Sequence, residues 1–125
     1  MIAEDRYKEL GKLCDKYFEI GDELDKLIEQ FNKSSIEEFR NGLLPKISKK
    51  IQEQDKAGET YVKEVNREAA NLVKGIDLLK NFYINRAYSS ATSNFDSHND
   101  CSRYNRLHRL KELDEMVDTY KKVNQ

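Results

Sequence analysis

Arg103 and His108 are the residues of this chain whose types and spacing could best support chemistry. They lie in the sequence RYNRLH, and Arg106 and Arg109 add positive charge on either side of the histidine. Guanidinium groups bind phosphate through charge-assisted hydrogen bonds, so Arg103, Arg106 and Arg109 form a candidate phosphate site. The alternative is a solvated basic face whose charges pair with acidic residues further along the same helix.

The arrangement of Arg103 and His108, with four residues between them, resembles the Arg-x4-His signature of HEPN domains. These are small all-helical proteins that often dimerise and in many cases cleave RNA, with the arginine and the histidine facing a bound phosphate across the dimer. The resemblance covers six residues and implies Arg103 and His108 as catalytic residues. An RNA-cleaving or RNA-binding dimer is therefore one alternative function.

Metal and cofactor chemistry has little support in the sequence. His98 and Cys101 are three residues apart and would need Cys14 or His108 to form a zinc site, but the spacing of a full ligand set is missing. Paired carboxylates are ordinary on helix surfaces, and acid–base catalysis has no further support. We therefore predict no metal site and no cofactor, and we favour a protein that is not an enzyme.

The balance of charge argues against recruitment to polyanions. The chain has 22 basic and 23 acidic side chains and a formal net charge of −1, so no global field draws it to nucleic acid or to an anionic membrane. No apolar run approaches the roughly 18 residues of a membrane span, and the N-terminal segment is too charged for a signal peptide. We expect a cytoplasmic protein without membrane insertion, and export that needs no cleaved signal is the open alternative.

The strongest structural signal is a pair of heptad seams. Apolar residues alternate at spacings of three and four from Leu10 to Phe31, and the same alternation returns from Val62 to Tyr83. Such a stripe predicts a helix that lies along another helix, as in a coiled coil or a bundle. The sequence therefore predicts an all-α fold with a single domain over residues 1–125. This fold is an elongated antiparallel bundle of three or four long amphipathic helices.

Local signals predict where the first helices begin and end. The first helix should span residues 3–32 and pack by its seam against the third helical segment. Ser35 and Glu38 form a capping box that should begin the second helix. Pro45 should kink or briefly break this second helix, because proline removes a backbone donor and clashes with the preceding turn.

Two arrangements are open around Ala57-Gly58. We favour a turn there, which gives four helices, over one continuous helix, which gives three. A third segment should then run over residues 59–88. A polar loop at 89–100 and a last helix at 100–123 complete the prediction.

Aromatic residues cluster around the predicted loop, at Phe82, Tyr83, Tyr88, Phe95 and Tyr104. Aromatic side chains beside a polar segment supply a large contact area at low entropic cost. We predict that four of them, Phe82, Tyr88, Phe95 and Tyr104, bind a partner. The predicted function is then a non-enzymatic helical protein that contacts another protein, as an adaptor, chaperone-like partner, inhibitor or complex subunit. A homodimer and a small helical partner of a secretion system are further alternatives.

Overall fold

The computed structural model describes the backbone of residues 1–92 and 100–124, and the side chains of residues 1–92 and 105–124. Within these ranges the chain forms four α-helices and no β-strand, which confirms the all-α prediction. No helix in the described ranges is long and apolar enough to cross a membrane. The helices are α1 (Glu4–Lys33), α2 (Glu37–Leu72), α3 (Phe82–Thr92) and α4 (Asp100–Val123).

The bounds of α1 and α4 agree with the predicted ranges to within one residue. α1 has acidic residues in its first turn and Lys33 in its last turn, so charges at both ends complement the helix dipole. Between α1 and α2, Ser34 Oγ accepts a hydrogen bond from the Ile36 N–H at 3.2 Å. The charges near the helix ends explain why the bounds of α1 and α4 could be read from the sequence, whereas the capping box of Ser35 and Glu38 stays a prediction.

α2 is one continuous helix through both positions at which the sequence predicted an interruption. The predicted turn at Ala57-Gly58 is wrong, since both residues lie within the helix and Gly58 is buried. Pro45 also lies within the helical span, so no break occurs there, and the kink favoured at this position stays a prediction. In a helix interior a glycine costs about 1 kcal/mol and a proline about 3 kcal/mol relative to alanine. The tertiary packing of a long amphipathic helix outweighs these local costs.

The predicted helix over residues 59–88 is wrong, because α2 ends at Leu72. Gly75 follows with a φ of 84°, a left-handed conformation that glycine adopts without the strain it causes in other residues. The residues of the second seam therefore do not all lie on one helix, because the helix ends at Leu72. The last members of the seam, Leu79 and Tyr83, lie beyond the end of α2.

The chain divides into two compact units, each of which contains part of α1 and part of α2. The first unit comprises Met1–Gly11 and Tyr61–Gln125, and the hairpin unit comprises Lys12–Thr60. The single-domain organisation over residues 1–125 stays a prediction. Buried side chains of the first unit include Leu10, Tyr61, Val65, Leu110, Leu113 and Val117, and those of the hairpin unit include Cys14, Tyr17, Leu24 and Leu43.

Within the hairpin unit, the first seam lies alongside the first half of α2. Lys50 of α2 forms an ion pair with Glu23 of α1. Gly21 of α1 leaves room for the Gln54 side chain, since a Cβ at Gly21 would lie 2.6 Å from Gln54 Nε2. The pairing differs from the prediction because the short connection at residues 34–36 turns α2 directly back onto α1. In the first unit, by contrast, the start of α1 contacts the beginning of the predicted third segment, since Arg6 forms ion pairs with Glu64 and Glu68.

Candidate interaction surface

Asp77 and Asn81, in the turn that leads into α3, accept hydrogen bonds from backbone N–H groups. Asp77 Oδ1 accepts a hydrogen bond from the Leu79 N–H at 3.1 Å, and the Asp77 carbonyl accepts one from the Asn81 N–H at 3.0 Å. Asn81 Oδ1 then accepts a hydrogen bond from the Ile84 N–H at 3.0 Å, as an N-cap residue does. These bonds satisfy donors at the start of α3 and fix the rotational phase of the helix.

The start of α3 and the turn before it expose large apolar side chains. Ile84 and Ala91 are buried on the inner face of the helix. Leu79, Phe82 and Tyr83 are instead 93%, 62% and 76% exposed. We call these three residues the α3 patch. Exposed apolar side chains that lie together are a recognised feature of interaction sites.

Contacts within the α3 patch hold its aromatic rings in place. The ring centroids of Phe82 and Tyr83 lie 5.9 Å apart at an interplanar angle of 75°, an edge-to-face arrangement that aromatic pairs prefer. The Arg86 guanidinium lies 5.6 Å from the centroid of the Phe82 ring, within the range of a cation–π interaction. Side chains that are ordered in advance lose less conformational entropy when they bind.

A groove of about 530 Å³ lies between α3 and α4, next to the α3 patch. Tyr83 and Ile84 of α3 and Met116 and Tyr120 of α4 supply its apolar lining. Met116 is 43% exposed. We call this feature the α3–α4 groove. Because Tyr83 belongs to both, the α3 patch and the α3–α4 groove form one continuous surface.

The hairpin unit also exposes apolar side chains, which form two groups along the chain: Ile36 with Phe39, and Leu44 with Ile51. Phe39 and Leu44 are both exposed, whereas Leu43 between them is buried. Five residues correspond to about 140° around a helix axis, so Phe39 and Leu44 lie on different sides of α2. The α3 patch, by contrast, has three exposed apolar side chains within residues 79–83.

The four aromatic residues predicted to bind a partner fall in different environments. Phe82 is exposed on the α3 patch. Tyr88 is half-buried in α3. Phe95 and the side chain of Tyr104 lie outside the described residues, so their roles stay predictions.

Sequence reasoning missed Leu79 and Met116 as candidate site residues, and it placed Tyr83 in the aromatic cluster without assigning it to the partner site. The seam pattern assigned Leu79 and Tyr83 to the core, and this assignment is wrong because the helix that would bury them ends earlier in the chain. Gly75 followed closely by Asp77 is the signal that could have found the break. Glycine commonly ends a helix, and aspartate commonly caps the turn that comes next.

Two of the three arginines predicted to bind phosphate contact the end of α3. Arg106 is buried, and its Nη1 donates a hydrogen bond to the Ala91 carbonyl at 3.4 Å. Arg109 Nη1 donates to the Ser90 carbonyl, also at 3.4 Å. Cations near the last carbonyls of a helix are stabilised by the helix dipole. Arg106 and Arg109 therefore have a structural role at the C-terminal end of α3.

His108 is exposed on the surface of α4, and its Nε2 lies 3.0 Å from Glu112 Oε1. Arg103 belongs to the same helix, five positions earlier, which places the two residues about 140° apart around the helix axis. The side chain of Arg103 lies outside the described residues. The phosphate-binding role of Arg103 and the catalytic role of Arg103 and His108 stay predictions.

The first unit also contains a buried carboxylate, Asp114 of α4, which is 5% exposed. Its Oδ2 accepts hydrogen bonds from the Tyr7 hydroxyl at 2.7 Å and from the Ile2 N–H at 3.1 Å, whereas its Oδ1 has no partner. Burial, together with the Asp114 carboxylate, raises the pKa of Tyr7 far above its ordinary range. Tyr7 therefore remains a hydrogen-bond donor at neutral pH, and the contact joins the start of α1 to α4.

Tyr7→Phe is expected to remove part of the alkaline instability of the protein. The ordinary pKa of tyrosine is 10.0, and folding raises that of Tyr7. The contribution of Tyr7 to stability is therefore complete below about pH 10 and is lost as the pH rises further, because the unfolded state releases the phenolic proton first. Urea denaturation at a series of alkaline pH values should show a shallower loss of unfolding free energy for Tyr7→Phe than for the wild type.

Tyr83→Phe is the matched control for this measurement, since Tyr83 is exposed. It removes a phenol that has no buried carboxylate to pair with, so its pH dependence should follow that of the wild type. Equal slopes for Tyr7→Phe and the wild type would contradict the proposed role of the Tyr7 hydroxyl.

No group of three or more His, Cys, Asp or Glu side chains among the described residues is placed to hold a metal ion. No protein-family model matches the sequence, and no curated protein or solved structure matches it. The surfaces of the chain itself are therefore the basis for a functional proposal.

Proposed function

We propose that this protein is a non-enzymatic binding protein that acts in the cytoplasm through contact with another protein, with the α3 patch as the contact surface. The observation that carries the proposal is the exposure of Leu79, Phe82 and Tyr83 within five consecutive residues, two of which are in ring contact. Burial of a large apolar side chain is favourable by about 1.5–3 kcal/mol, so three such residues can form the centre of an interface. Aromatic residues are also enriched at protein interfaces.

The surface suits the packing of a partner helix. An amphipathic helix can place its apolar face on the α3 patch and insert side chains into the adjoining α3–α4 groove, as in helix-in-groove recognition. Arg86 and the edge-to-face contact keep Phe82 and Tyr83 oriented before binding. An adaptor, an inhibitor or a subunit of a complex would use such a preformed surface.

The environment of the basic residues on α4 favours this proposal over the RNA-cleaving alternative. A phosphate site needs guanidinium groups that a phosphate can reach, and Arg106 is buried against the end of α3. His108 pairs with the carboxylate of Glu112, whose negative charge disfavours an approaching phosphate.

Site-specific photocrosslinking in the source organism tests the contact surface. With p-benzoylphenylalanine in place of Tyr83, irradiation should produce a discrete covalent adduct with a partner protein. Adding Leu79→Ser and Phe82→Ser should reduce the yield of this adduct about tenfold or more, because hot-spot residues dominate interface energies. Circular dichroism and the melting temperature should stay unchanged, since the substituted side chains are exposed.

The control places the same photoreactive group at Lys63, which is exposed on α2. Lack of an adduct at position 83, or identical adducts at positions 83 and 63, would contradict the proposal.

A second measurement compares the wild type and His108→Ala in the cleavage of single-stranded RNA, and we expect the same background rate for both. A rate that falls with His108→Ala would support the nuclease alternative instead.

A further inference from the structure

The α3–α4 groove combines apolar surface with one acidic wall. Glu112 and Glu115 of α4 line it together with Met116 and Tyr120, and its lining, all within the described residues, includes no lysine, arginine or histidine. Carboxylates that border an apolar cleft give it a negative potential, because the low-dielectric walls focus the field.

Basic residues close in sequence to the α3 patch engage other groups. Lys80 Nζ lies 3.8 Å from Asp77 Oδ2, and Arg86 lies over the Phe82 ring. Glu115 forms no ion pair within the part of the chain that the structure describes. The charge of Glu115 is therefore available to a cation supplied by a partner.

We propose that the α3–α4 groove binds an amphipathic helix of the partner protein in which lysine or arginine flanks the apolar anchors. This inference rests on the proposed function and adds the chemistry of the partner. The groove is open along one side, so a helix can lie in it with one face exposed. Apolar anchors contact Tyr83 and Met116, and the flanking cations pair with Glu115. Glu112, which lies 3.0 Å from His108 Nε2 through its Oε1, adds a second carboxylate to the same wall. Opposite charges of this kind select partners and fix the orientation of the bound helix.

Binding of two synthetic helical peptides to the full chain tests this chemistry. Both peptides carry the same stripe of leucine and phenylalanine, with lysine at the flanking positions of one and glutamate at those of the other. Fluorescence anisotropy gives the Kd of each. At low ionic strength we expect the lysine peptide to bind about tenfold more tightly. Added salt should reduce this difference, because it screens exposed charges.

Charge-reversal variants identify the residues that cause the preference. Glu112→Lys combined with Glu115→Lys should reverse the order of the two affinities. The matched control is Glu19→Lys combined with Glu59→Lys, which makes the same change in net charge at exposed positions outside the groove. This control should retain the preference for the lysine peptide.

The outcomes separate this inference from the proposed function. Equal affinities for the two peptides would overturn the inference that the partner helix is basic, and so would a preference that the Glu112→Lys, Glu115→Lys protein retains. Neither result would contradict the α3 patch as the contact surface. Failure of both peptides to bind would also overturn the inference that the groove binds a basic amphipathic helix. A different result, the lack of a photocrosslink at position 83, would contradict the proposal that the α3 patch is a contact surface. Tyr83→Ser should raise the Kd of both peptides by a similar factor, because it removes apolar contact and no charge.

Discussion

Replacing Leu113 with Ala is expected to lower the free energy of unfolding by about 3 kcal/mol, within the usual range of about 2–5 kcal/mol for a buried leucine. Leu113 is 0% exposed, and its neighbours on the same face of α4, Leu110 and Val117, are buried as well. The truncation removes apolar contacts and leaves a cavity that the surrounding helices fill only in part. Urea denaturation followed by circular dichroism measures the change.

Val123→Ala is the matched control, because Val123 lies on the same helix and is 76% exposed. It should change the free energy of unfolding by less than about 0.5 kcal/mol. A loss below about 1 kcal/mol for Leu113→Ala would contradict the burial of this face. The burial also matters for the candidate site, since the phase that turns Leu113 inward turns Glu112 and Met116 toward the α3–α4 groove.

Asp114→Ala is expected to lower the free energy of unfolding by about 2 kcal/mol, because a buried donor left without an acceptor costs about 1–3 kcal/mol. The substitution removes the acceptor of both the Tyr7 hydroxyl and the Ile2 N–H. Loss of the unpartnered Oδ1 offsets part of this cost, since its desolvation is not compensated in the folded protein. Asp114→Asn keeps an acceptor and should be the milder change in the same denaturation experiment.

A double-mutant cycle with Tyr7→Phe isolates the hydrogen bond between Tyr7 and Asp114. We expect a coupling free energy of about 1–2 kcal/mol, as is found for residues in direct contact. Once Asp114 is alanine, removal of the Tyr7 hydroxyl should cost little more. Strictly additive losses would show that the two side chains act independently and would contradict the contact at 2.7 Å.

The sequence by itself determined the helical class and the bounds of two helices. Apolar residues in helical phase over long stretches leave few alternatives to α-helix, and the ends of α1 and α4 depend on composition and charge within the chain near each end. Between α1 and α4, local residue preferences did not determine where the helices begin and end. Pro45 and Gly58 are local helix breakers, yet both lie inside α2, because tertiary packing supplies more free energy than either residue costs.

The candidate site was only partly predictable for the same reason. Phe82 falls outside the seam pattern, and it was predicted to bind a partner and is exposed. Leu79 and Tyr83 fit the seam, so a periodic pattern alone assigns them to the core. Only the left-handed turn at Gly75 reveals that the helix ends before them.

The basic residues of α4 show the same limit of sequence patterns. A cluster of arginines looks alike in sequence whether it faces solvent, a phosphate or the end of another helix. Tertiary structure decided the positions of Arg106 and Arg109, because the last carbonyls of α3 attract their guanidinium groups. Helix periodicity depends on neighbours along the chain, whereas exposure depends on which elements meet. The sequence therefore determined the helical class and the bounds of α1 and α4, and only packing decided where α2 ends and which side chains form the exposed surface.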